Sequence, residues 1–177
     1  CRVVDSLPYL RTDYITQGRF KTRNIYRHSP IEVNWTRMSQ TAENLLFQID
    51  FLEDGTMDIM STNEDIPFSI KGVHYGELID CDMFTATIMP TPMMTSRGRM
   101  FFRMRTRESL ASEFMGRLRL SFVGEGSTIL ALSMTSDTPE RDCDFLDKLS
   151  EIFLLQNLEQ KNEVAENSIR FITERHS

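Results

Sequence analysis

Cysteine is scarce in this chain. Its three copies, Cys1, Cys81 and Cys143, are an odd number without metal-ligand spacing. They supply neither a disulfide framework nor a redox motif, and free thiols are expected. Histidine is as sparse: His28, His74 and His176 lie far apart and without ligand-like neighbours. No run approaches the roughly 20 apolar residues that span a bilayer, and no signal peptide opens the chain. A first residue of Cys rather than Met suggests a piece of a longer protein. Basic charge is also in deficit. The net charge of −6 argues against a general nucleic-acid binder.

Nucleotide and metal motifs are missing as well. The stretch VGEGSTIL has two glycines and a Ser-Thr pair, but the glycines are two apart and no Lys follows. A phosphate loop needs G-x-x-x-x-G-K-[ST], because the Lys reaches the phosphates and the hydroxyl holds magnesium; a β-turn is expected instead. DFLEDGTMDIMS imitates the start of a calcium loop, yet Leu52 stands at the third ligand position and Ser61 at the twelfth, where an acid is required. No Ser/His/Asp or Cys/His set can be assembled. Nothing separates Asp65, Glu77, Asp80 and Asp82 from solvated loop charges. The sequence therefore predicts no catalytic residue, no cofactor and no metal site.

What remains is an ordinary globular composition, 40% hydrophobic and 26% charged, with enough chain for one domain and a proper core. LLFQIDFLEDGTMDIM alternates on both sides of Asp54-Gly55, the signature of a β-hairpin. SPIEVNW reads as a strand after a proline start. Residues 66–94 read as short strands in a loop-rich region. RMFFRMR places Met100, Phe102 and Met104 on one face and Phe101, Arg103 and Arg105 on the other. ESLASEFMG reads as a short helix ending at Gly116. RLRLSFV and STILALSMT read as two further strands joined by GEG. Strands with helices at both ends and one inserted late predict an α+β or mixed α/β domain, mostly antiparallel, with flanking helices.

Arginine gathers at Arg97, Arg99, Arg103, Arg105, Arg107, Arg117 and Arg119. On alternating strands Arg103, Arg105 and Arg107 would share one face, and so would Arg117 and Arg119. Such a face suits either a polyanion, such as an acidic polysaccharide, or a subunit contact paired with acidic residues.

The acidic residues are in the last segment. Residues 136–177 hold ten acidic and five basic side chains, and the remainder is near neutral. Asp137 or Thr138 can cap a helix that opens at Pro139, and Glu140 has capping-box spacing. Phe145, Leu149, Ile152, Leu155 and Leu158 follow at three- and four-residue steps, and neither Gly nor Pro interrupts the pattern afterwards. Surface helices usually run 8–20 residues. This longer one is expected to continue as a helical extension.

STILALSMTSDTPERDCDFLDKLSEIFLLQNLEQKNEVAENSIRFI resembles the periplasmic region of bacterial polysaccharide co-polymerases. These are the Wzz-type chain-length determinants, and the resemblance is above all to exopolysaccharide tyrosine autokinases of Bacteroidetes-like bacteria. The residues that carry it are Pro139, Leu146-Asp147, Leu149, Phe153, Gln156-Asn157-Leu158 and Phe171-Ile172. Asp147 and Phe153 depart from the commoner Asn and Tyr. GRFKTRNIYRHSPIEVNW is similar to that region's link into its first long strand. The resemblance implies an α/β base on the periplasmic side of the inner membrane. A long helix would rise from that base, and flanking segments would anchor it in the membrane. It implies homo-oligomers that set the chain length or export of capsular or exopolysaccharide, together with a polymerase or exporter. Autokinase members add a cytoplasmic kinase domain and a tyrosine-rich tail. The motifs of neither occur here, so no catalytic or nucleotide-binding residue carries over. The alternative reading is a soluble anionic-sugar-binding module that uses Arg103, Arg105, Arg107, Arg117 and Arg119.

Overall fold

The computed structural model describes residues 2–17, 22–94, 98–124, 126 and 128–175. The hairpin at Asp54-Gly55 is where expected. β4 (Phe47–Phe51) and β5 (Thr56–Ser61) pair antiparallel with Ile49 opposite Ile59. Gly55 sits at φ 81°, a left-handed conformation that glycine adopts without steric cost. Asp54 accepts hydrogen bonds from both the backbone N–H and the hydroxyl of Thr56. Alternation then sets the faces: Phe47, Ile49 and Phe51 are buried while Gln48 and Asp50 are not.

This hairpin lies within a six-stranded antiparallel sheet with strand order β2-β1-β9-β4-β5-β6. Its other members are β1 (Thr12–Gln17), β2 (Thr22–Asn24), β6 (Ser69–His74) and β9 (Gly98–Met104). A three-stranded antiparallel sheet is formed by β3 (Ile31–Met38), β7 (Leu78–Asp80) and β8 (Phe84–Pro90) in the order β3-β8-β7. Residues 66–94 are thus more regular than their glycines and prolines suggest. The inward residues of both sheets form one core, in which Phe47, Phe84 and Phe102 pack ring against ring. Between the sheets, the Tyr14 hydroxyl accepts the Val33 N–H at 2.9 Å.

A second core is helical. α1 (Arg2–Ser6) brings Val3 and Val4, α2 (Arg107–Arg117) brings Leu110 and Phe114, and α3 (Pro139–Arg175) brings Phe145. Phe114 and Phe145 stack with centroids 3.9 Å apart and planes 7° from parallel. The domain is therefore α+β, with mostly antiparallel sheets and a long final helix, as the sequence predicts.

Two local expectations are corrected. Arg107 does not continue the face of Arg103 and Arg105, because the Thr106 hydroxyl accepts the Ser109 N–H and turns the chain into α2. Arg107 thereby becomes the first helical residue. Arg117 and Arg119 do not share a strand face either. The helix runs through Gly116, which lacks the positive φ of a closing glycine. Arg117 is its last residue, and Arg119 alone lies on β10 (Leu118–Phe122). β10 pairs with β11 (Leu130–Met134) as a separate two-stranded ribbon. The turn expected there falls partly on Glu125 and Ser127, outside the described residues.

Candidate assembly surface and its anchor

α3 meets the rest of the domain through its first four turns. Asp13 is the hub of that junction, with only 2% of its side chain exposed. Its Oδ2 accepts from Arg103 at 2.8 Å and Arg105 at 3.4 Å. Its Oδ1 accepts from Asn24 at 2.9 Å and Arg141 at 3.3 Å. Glu113 on α2 accepts from Arg105, Arg117 and Arg141 at 2.7–3.2 Å. Asp142 accepts two hydrogen bonds from Arg117. Four guanidinium groups therefore share three carboxylates, and they join β1, β9, α2 and α3. Arg117 and Arg141 also stand 5.4 and 5.3 Å from the Phe114 ring centroid, within cation–π range.

The five arginines singled out by sequence thus divide. Arg103, Arg105 and Arg117 are engaged by internal carboxylates, and Arg107 pairs with Asp5 at 2.9 Å. Arg119 is exposed and has no hydrogen-bond or ion-pair partner among the described residues. Arg99 bonds Asp50 in a bidentate pair, and Arg97 lies outside the described residues. The acidic helix does supply partners, but one of its own arginines, Arg141, is the buried centre. The sequence reading missed Arg141 and Asp13. The available signal was Arg141 standing alone among Glu140, Asp142 and Asp144, where a cation opposes the helix dipole unless carboxylates surround it. Glu140 meets His28 Nε2 at 3.1 Å, and Asp144 accepts the Tyr26 hydroxyl at 2.7 Å.

No family model matches the chain, and no curated protein does.

Beyond this anchor the helix changes character. Phe145 is buried, and Leu149 and Ile152 pack on the second core. From 153 to 171 every residue except Asn157 is exposed. The apolar stripe also changes sides. At 3.6 residues per turn, Leu154 lies two and a half turns after Phe145, on the opposite face of the helix. Leu158 follows four residues later on that same outer face. The inner line continues instead through polar Gln156, Glu159 and Glu163. Phe153, Leu154, Leu155, Leu158 and Val164 are 51–67% exposed. The ribbon adds a second apolar surface. Leu118, Leu120 and Phe122 oppose Met134, Leu132 and Leu130 on one face, and Leu120 and Phe122 are 61% and 70% exposed. Clusters of such side chains mark interaction surfaces more often than scattered ones do.

Among the described residues no group of His, Cys, Asp and Glu could hold a metal. No helix there is long and apolar enough to cross a membrane, which says nothing of a β-barrel.

The anchor is sensitive to acid. Burial disfavours the charged forms of Asp142 and Glu113. Hydrogen bonds and charge from Arg117 to Asp142, and from Arg141 and Arg105 to Glu113, outweigh it and hold both carboxyls below their ordinary range. Groups depressed by folding stabilise it fully above their unfolded pKa values, and that stabilisation is lost as pH falls through the folded values. Urea midpoints should be level from about pH 7 to 5 and fall below about pH 4. A midpoint that stays level down to about pH 3 would contradict this role for the pair.

Proposed function

We propose that this chain is the periplasmic base of a polysaccharide co-polymerase. It would act as a scaffold whose oligomeric assembly regulates the chain length or export of a capsular or exopolysaccharide. The observation that carries the reading is the switch of the apolar stripe at 153–154. A helix that turns Leu154 and Leu158 away from its own domain after an ion-bonded, aromatic anchor suits side-by-side packing with further copies. The resemblance around Pro139, Leu149 and Gln156-Asn157-Leu158 gives that assembly its biological setting. The partners in this reading are further copies, a polymerase or exporter and the polymer itself. The parent is a membrane protein of the inner membrane, held there by segments outside this chain, with a tyrosine autokinase as one form of it. In this reading the chain itself acts as a scaffold and not as an enzyme.

Two measurements test the proposal. In sedimentation the weight-average mass should exceed 20.6 kDa as concentration rises. It should return to the monomer value in the triple variant Leu154→Gln, Leu155→Gln, Leu158→Gln. In the cell that makes this protein, the same variant should alter the length distribution of its surface polysaccharide at unchanged protein level. A native chain that stays monomeric throughout would overturn the stripe as an association surface. An unaltered polymer distribution would overturn the polysaccharide role.

A further inference from the structure

A half-open cleft of about 700 Å³ borders the α3 anchor through Tyr26 and Arg27, both bonded to Asp144. It runs between the start of β1, the edge strand β3 and the 3-10 turns Pro8–Arg11 and Tyr26–His28. Its volume is in the range of small-ligand sites. Its lining combines flat rings with uncommitted polar groups. Tyr9 is 43% exposed, and Trp35 is only partly buried. Arg11 spends its Nε on the Arg105 carbonyl at 3.3 Å. The two terminal amino groups of Arg11 have no hydrogen-bond or ion-pair partner among the described residues. Glu32 and Asn34 alternate outward along β3, exposed and without side-chain hydrogen-bond partners among those residues. The second cation of the cleft, Arg27, is paired with Asp144 at 3.0 Å.

One wall is held in a costly conformation. Tyr26 has φ 44°, an outlier for a bulky residue. Asn24 Oδ1 accepts its N–H at 3.0 Å, and its hydroxyl donates to Asp144. Tyr26 in turn contacts Tyr9, whose ring lies 5.4 Å from the Arg27 guanidinium. Backbone strain of this kind clusters at ligand sites, and here it lies in the residue whose ring contacts Tyr9.

We infer that this cleft binds a carboxylated sugar, a hexuronate unit of a glycan. The paired amino groups of Arg11 match a carboxylate in a two-pronged contact. Glu32 accepts only, so it suits the several hydroxyl donors of a sugar, and Asn34 both donates and accepts. Tyr9, the exposed ring of the cleft, offers a face to the apolar side of the sugar, while Trp35 packs on Phe84 and Phe102 behind it. With Arg27 paired to Asp144, Arg11 is the one uncommitted cation among the described residues of the cleft, which favours a singly charged ligand over a phosphate dianion. The inference stands on the cleft alone and does not depend on the assembly proposal.

Trp35 is the single tryptophan, so its fluorescence reports on the cleft directly. Titration with an oligomer of glucuronic acid at low salt should give a saturable change. Affinity should weaken by about tenfold or more in Arg11→Ala and fall in Tyr9→Ala, while Arg119→Ala binds as the native chain does. An oligomer of glucose should bind far more weakly, and benzoate should not saturate the signal. Thermal unfolding confirms that each variant is folded; should Arg11→Ala fail to fold, Tyr9→Ala decides. Absence of saturation with the glucuronate oligomer overturns the inference. Equal binding of the glucose oligomer, saturation by benzoate alone, or native affinity in folded Arg11→Ala and Tyr9→Ala overturns it too.

Discussion

Asp13→Ala is expected to lower the unfolding free energy by about 3–5 kcal/mol. The size follows from what remains. Arg141 and Arg105, with side chains 8% and 11% exposed, would face Arg103 across a site from which the shared anion had gone. Breaking one member out of a buried ionic set leaves an uncompensated charge, and this costs more than the intact set contributes. With a urea slope near 2 kcal/mol per molar, the midpoint falls by roughly 2 M. The double variant Asp13→Ala, Arg141→Met should recover part of the loss, since it removes a stranded cation with its partner. Losses that simply add would contradict a shared network.

The second large effect is Phe145→Ala, expected to cost about 3–5 kcal/mol. Phe145 is 1% exposed and stacks on Phe114, beside which two guanidinium groups also stand. Truncation opens a cavity between α2 and α3 that the ion network above it resists collapsing. The contrast lies on the same helix. Leu158→Ala, at 58% exposure, should change monomer stability by no more than about 0.5 kcal/mol. Both residues belong to what sequence reads as one apolar stripe, and urea unfolding of the two variants separates them. Similar losses would mean that the distal helix packs on its own domain.

That stripe shows how far the sequence could be read. Its period announces the helix correctly, and the alternation around Asp54-Gly55 announces β4 and β5 down to which residues are buried. Period alone does not reveal that Leu149 and Ile152 pack on the second core, while Leu155, beside Arg2, Asp5 and Ser6 of α1, stays half exposed and Leu158 stands clear of it. That depends on where α1 and α2 end in space. The arginines were harder. Arg103 and Arg105 follow the strand pattern and do reach the same carboxylate. Arg107 and Arg117 were misplaced because a single cap at Thr106, and a Gly116 that continues the helix, set their elements. Asp13 is ordinary in sequence. Its role arises from β1 lying beside β9 and beneath the first turns of α3, a juxtaposition made by residues about 90 and 128 positions apart. The cleft was equally hidden, since Tyr9 and Arg11 reach β3 only where the two sheets meet.

In the assembly proposed for this chain, α3 beyond Ile152 is the surface that meets further copies. Hydrogen exchange measured along α3 as a function of protein concentration tests it most directly. Amides from 154 to 168 should become more protected as concentration rises, while those near Phe145 are protected throughout by the ion-bonded core. Exchange from 154 to 168 that is independent of concentration, up to the highest attainable, would contradict it.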